Sequence, residues 1–106
     1  MEMNELLNFI KAEDERLRKY YGYTDEEKRV LSRTVKVAEE FGELCNEVLA
    51  ASSLQRKQKL ENHSREKLEE EFADVLFSTL LLASAMKIDI NEAMQKKMEK
   101  MKARKY

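Results

Sequence analysis

Not one of the 106 residues is proline, and glycine stands only at positions 22 and 42. Proline and glycine are the residues that cost most inside a helix, so almost nothing in this chain interrupts one. Glu, Lys, Leu, Ala and Met dominate the remainder, which is helix composition. Leu6, Leu7, Ile10 and Leu17 recur at near-helical spacing over residues 3–20, and Gly22 ends that first helix. Thr24 with Glu27 reads as a capping box that opens a second helix. Its apolar face runs through Val30, Leu31, Thr34, Val35, Val37, Ala38, Phe41, Leu44, Cys45, Val48 and Leu49. The polar stretch from Ser52 to Ser64 reads as a helix end and a loop. A third helix, Arg65 to Met86, is apolar on more than one side and is expected at the centre. Asp89 with Glu92 forms a second capping box, opening a last helix that runs to Lys105 and turns Ala93, Met94, Met98 and Met101 to the core. The expected fold is therefore all-α, a four-helix bundle-like single domain over residues 1–106. A single copy of this length buries only about 60–70% of its unfolded surface, so a homo-oligomer, dimer or tetramer, is expected.

Twenty basic residues nearly balance twenty-one acidic ones. The net charge of -1 gives no overall field to attract nucleic acid or an anionic membrane, so any electrostatic function is local. The most apolar stretch, Val75 to Met86, is shorter than the roughly 20 residues that span a bilayer. The acidic start Met1-Glu2-Met3-Asn4-Glu5 does not read as a secretory signal. The lone Cys45 sits among apolar positions and reads as a reduced packing residue. A cytoplasmic protein is expected.

With 39% of residues charged, Glu-x-x-Glu pairs arise by chance, so the useful question is where each acid points. At about 100° per residue, Glu71 and Asp74 of the third helix border the stripe of Leu68, Val75, Leu82 and Met86, whereas Glu69 and Glu70 fall nearer to water. On the second helix Glu40, Glu43 and Glu47 form a ridge along one edge of the apolar face, and Glu39 lies further round. Antiparallel packing of the two helices would set Glu40 and Glu43 against Glu71 and Asp74. Four carboxylates at one locus repel, and their joint ionisation calls for a divalent cation. Oxygen-only ligands select a hard ion, Mg²⁺ first and Mn²⁺ second. A helix-bundle di-iron site would need Glu-x-x-His on two helices, and the only histidine, His63, falls in the polar stretch and reads as exposed.

Glu39-Glu40-Phe41-Gly42-Glu43, followed after 27 residues by Glu71-Phe72-Ala73-Asp74-Val75-Leu76, resembles the all-alpha nucleotide pyrophosphohydrolase superfamily, most closely its MazG-like members. The resemblance continues through Lys87-Ile88-Asp89-Ile90-Asn91-Glu92-Ala93 and covers roughly residues 25–106. It implies Mg²⁺-dependent hydrolysis of a nucleoside triphosphate to the monophosphate and pyrophosphate. By matching positions, it implies Glu40, Glu43, Glu71 and Asp74 as metal ligands, with Glu39 as an acid that holds or polarises the attacking water. Lys97, Lys100 and Arg104 on the last helix are candidates to meet the triphosphate, set against a plain solvated face. Met101 stands about where relatives often carry an asparagine. Phe9, Tyr20, Tyr21 and Tyr23 are the aromatics that can stack on a base, with ordinary packing the leading expectation.

Two other readings remain. A phosphoribosyl-ATP pyrophosphohydrolase shares the scaffold and a similar acidic pattern, but the long gap between the motifs and the lack of a histidine after the second one weigh against it. A non-catalytic helical interaction protein would carry these acids only as surface; the inward position of Glu71 and Asp74 weighs against that.

Overall fold

The structure, a computed structural model, describes residues 1–52 and 64–106. Its four helices are α1 (Met3–Tyr21), α2 (Glu26–Ala51), α3 (Arg65–Ala85) and α4 (Ile90–Lys102), and the described residues contain no strand. The all-α expectation holds. The loop expected after Ser52, and the exposure expected of His63, fall outside the described residues.

Local chemistry sets the helix ends. Gly22 closes α1 at a φ of 64°, its N–H donating to the Arg18 carbonyl at 3.0 Å. That left-handed conformation is one glycine adopts without steric penalty. The capping box expected at Thr24 shifts by one residue: the Asp25 carboxylate accepts from the Glu27 and Lys28 N–H groups at 3.0 and 3.3 Å. Asp25 caps as well as threonine does and adds a negative charge at the positive end of the helix. Ser64 caps α3 by accepting from the Lys67 N–H. The turn after α3 is a Schellman closure, with Lys87 N–H to the Ser84 carbonyl and Ile88 N–H to the Ala83 carbonyl. It places Lys87 at a φ of 58°, a conformation L side chains rarely take. Asp89 caps α4 through the Glu92 N–H, as expected, while the Glu92 carboxylate pairs forward with Lys96. The helix stops at Lys102, short of the expected Lys105.

Helix α3 packs along α2 and, over a smaller contact, against α1, which makes it the central helix. The α2–α3 pair is antiparallel. Arg29 near the start of α2 reaches the Ala85 carbonyl at the end of α3 (3.4 Å), and Glu47 near the end of α2 meets Lys67 near the start of α3 (3.4 Å).

The face of α2 that meets α3 is the charged one. Arg29, Arg33, Glu40, Glu47 and Ala50 are its buried residues, spaced so that they form one stripe. Leu31, Val35, Phe41, Val48 and Leu49 face outward, as do Phe72 and Leu76 of α3. Cys45 is exposed too, so its expected packing role is not fulfilled within one chain. The same correction applies to α4: Met94, Met98 and Met101 are each about half exposed, and α4 forms no extensive contact with the other helices among the described residues. The cause is a conflict in α2 between two stripes. The apolar stripe is the wider, but the charged one has partners on α1 and α3.

Those partners are specific. Asp14 of α1 accepts from Arg29 (2.7 Å), Arg33 (2.9 Å) and Ser84 (2.9 Å), while Glu26 holds the other side of Arg29 at 2.8 Å. The apolar residues buried alongside are few, namely Ile10, Ala50 and Ala85. The radius of gyration is 16.7 Å, well above the roughly 13 Å of a compact domain of about 100 residues.

Candidate metal centre

The α2–α3 seam changes sign along its length. Past Arg29 and Arg33 it passes Lys36 and becomes acidic, with Glu40, Glu43 and Glu47 on α2 opposite Asp74, Glu71 and then Lys67 on α3. Antiparallel packing brings Glu40 towards Asp74 and Glu43 towards Glu71. Glu40, Glu43 and Glu71 each offer an oxygen within 4.8 Å of the others. Asp74 lies one turn further along α3, outside that tightest group but sharing a cavity lining with Glu40. Glu39 is exposed and lies on the lining of two cavities, one on each flank of the acids.

Burial and repulsion act together here. Glu40 is only 7% exposed. Its Oε2 and the Glu71 Oε2 are buried with no hydrogen-bond partner among the described residues. Burial pushes the Glu71 pKa up, and the charges of Glu43, Asp74, Glu40 and Glu47 push it further. Asp74 is raised by burial, then by Glu40 and Glu70, with Lys36 opposing. Buried carboxylate oxygens without donors cost several kcal/mol unless a cation takes them. An all-oxygen cluster of this kind suits a hard divalent ion.

Two basic groups bracket the acids. Lys36 contacts Glu40 at 3.0 Å and Glu39 at 3.7 Å, and Lys67 contacts Glu47. Sequence reasoning missed both lysines, along with Asp14 and Arg33. For Arg33 and Lys36 the signal was present in the charged positions of α2 that recur every three or four residues from Glu26 to Glu47, had that stripe been read as buried; Asp14 on α1 and Lys67 on α3 lie off it. The angular reading misplaced one acid. It set Glu71 and Asp74 inward and left Glu40 and Glu43 at an edge; Glu43 is exposed and Glu71 and Asp74 are partly buried, but Glu40 is buried. That reading took the apolar stripe of α2 as the buried reference, and that stripe faces outward.

On the Lys36 side, a cavity of about 560 Å³ adjoins the acids. Leu17, Tyr21, Tyr23, Arg33, Lys36, Glu39, Glu40, Asp74 and Phe77 are among its lining. Of the four aromatics that can stack on a base, Tyr21 and Tyr23 reach this cavity. Phe9 instead meets Phe77 edge to face at 5.8 Å, and Tyr20 packs edge-on against Tyr21 at 4.9 Å. Lys97, Lys100 and Arg104 are not brought to the acids: none lines either flanking cavity, and α4 stands apart.

The described residues are all-α, with helix-borne acids gathered around buried, unpartnered oxygens. A family model, the MazG nucleotide pyrophosphohydrolase domain, matches residues 28–106. The chain belongs to that family. No curated protein and no solved structure matches it significantly. Family membership supports a nucleotide pyrophosphohydrolase acting on a nucleotide substrate, with a metal requirement general to the family. No helix among the described residues is long and apolar enough to cross a membrane.

Proposed function

We propose that the protein hydrolyses a nucleoside triphosphate between its α and β phosphates, with Mg²⁺ held by Glu40, Glu43, Glu71 and Asp74. The observation that carries this reading is the pair of buried, unpartnered oxygens on Glu40 and Glu71, set where the two acidic motifs converge. When bound, the metal neutralises phosphate oxygens and makes a coordinated water more acidic; Mn²⁺ would serve in its place. Glu39 orients the attacking water and takes its proton as the oxygen bonds to phosphorus. The bond to the bridging oxygen breaks, and pyrophosphate leaves with that electron pair. The cavity beside Tyr21, Tyr23 and Phe77 receives the nucleoside end. Lys97, Lys100 or Arg104 would touch the triphosphate only if α4 closed over the site or were supplied by another copy.

Homo-oligomerisation belongs to the same proposal. Leu31, Val35, Phe41, Phe72 and Leu76 form apolar surface of a kind that monomers rarely leave bare. A second copy would bury it. A nucleotide-pool enzyme of this type would work in the cytoplasm.

The test is pyrophosphate release from a panel of nucleotides with Mg²⁺, comparing the wild type with Glu40→Gln and Asp74→Asn. Each substitution is expected to lower turnover by at least about a hundredfold, since removing a ligand exceeds the cost of removing a group that only supports one. Unchanged turnover in both would remove the site assignment. If no nucleotide yields pyrophosphate, a helical interaction protein becomes the better reading.

A further inference from the structure

Glu40 is the most buried of the four acids, and its two oxygens have different fates. Lys36 lies one helical turn before it and contacts Oε1 at 3.0 Å. Oε2 is buried and unpartnered. An ammonium fixed on one oxygen stops the carboxylate from turning about its terminal bond, so the other oxygen is presented in a set direction. The Lys36 side chain is itself 58% exposed, so its stem is not needed to fill the interior. It also lies 3.7 Å from Glu39.

We infer that Lys36 is a positioning residue for the metal centre: by donating to Glu40 Oε1 it leaves Oε2 as the oxygen aimed at a cation shared with Glu43 and Glu71. The inference rests on the metal-centre reading above. Two opposing effects make it testable by sign. Lys36 carries a positive charge beside a cation site, so as a diffuse charge it repels the metal, and its loss would tighten binding. As a positioning group it fixes a ligand, and losing such support typically weakens metal affinity by about 10–100-fold. Repulsion through solvent from a group this exposed is the smaller effect, on the order of a few-fold.

The experiment measures binding of Mn²⁺ alone, without nucleotide, by electron paramagnetic resonance and calorimetry. Lys36→Met is expected to bind Mn²⁺ about tenfold more weakly than wild type. Lys36→Arg, which keeps a donor within reach of Glu40, is expected to restore most of that loss. Lys67→Met removes an equal charge from the other flank, where the partner is Glu47, and is expected to leave affinity unchanged or raise it. Equal or tighter binding by Lys36→Met would overturn the proposal, and so would an equal weakening in both lysine-to-methionine variants. A wild type that shows no saturable Mn²⁺ binding would bring down the metal-centre reading and Lys36 with it. A wild type whose Mn²⁺ site needs Glu71 and Asp74 but ignores Lys36→Met would remove only the role of Lys36.

Discussion

The two halves of the α2–α3 seam are built on the same helices and each buries charged side chains, yet those charges are treated in opposite ways. In the basic half, Arg29 is 4% exposed and meets Asp14, Glu26 and the Ala85 carbonyl, while Arg33 shares Asp14. In the acidic half, Glu40 is 7% exposed and one of its oxygens has no partner among the described residues, as is also true of Glu71. Helix α1 makes the difference. It supplies Asp14 to the arginines and supplies no cation to the acids. A buried charge that is neutralised from within the chain is a strut, because removing its partner strands it. Buried like charges left short of partners are tolerated by taking up a proton, which is what a raised pKa expresses, or by a cation from outside the chain.

The largest effect that tests this contrast is Asp14→Asn. It leaves two buried guanidinium groups with one counter-charge, Glu26, and is expected to destabilise the fold by roughly 3 kcal/mol, read from urea unfolding. Turnover per folded molecule should stay within a few-fold of wild type, because Asp14 touches none of the acids. An unfolding midpoint that does not move would show that the basic half is not a strut. Glu71→Gln is the matching change in the acidic half, with the opposite sign. Removing one of several repelling carboxylates is expected to raise the stability of chelator-treated protein by up to about 1 kcal/mol, allowing for solvent screening. The same variant should lose saturable Mn²⁺ binding. A loss of stability instead would mean that the acids are held together by contacts within the chain.

The comparison also explains which parts of the molecule were legible in the sequence. The helices were legible because each boundary is local chemistry: Gly22, the cap residues Ser64 and Asp89, and the absence of proline. The convergence of Glu40 and Glu43 on Glu71 was legible once antiparallel helices were assumed. The inward face of α2 was not, because periodicity shows that a helix has an apolar stripe without showing what covers it. Leu31, Val35 and Met98 lie on apolar surfaces that nothing among the described residues covers. Asp14 was illegible for a different reason: it lies 70 residues from Ser84, and only the packing of α1 joins them. Lys36 stood in plain view four residues before Glu40, but one lysine in a chain this charged carries no signal until its partner is known to be buried.

The smallest predicted effect is a dependence on pH, and it separates the halves by direction. In the fold, Glu71 and Asp74 hold protons more tightly than at their ordinary values of 4.5 and 3.8. Groups with raised pKa contribute stability that is fully present below those ordinary values and is lost as pH rises through the folded ones. In chelator-treated protein their contribution therefore falls from acid towards neutral pH. The advantage of Glu71→Gln over wild type should accordingly be near zero at the acid end, where Glu71 is protonated like its amide counterpart, and should grow as pH rises. Paired unfolding curves across that range measure the difference directly, so that carboxylates elsewhere cancel. Saturating Mg²⁺ should reverse the trend, because ionised carboxylates are the form that binds the ion. An advantage that stays flat with pH would mean that Glu71 feels no strain from its neighbours, and the distinction between a satisfied and an unsatisfied half of the seam would collapse.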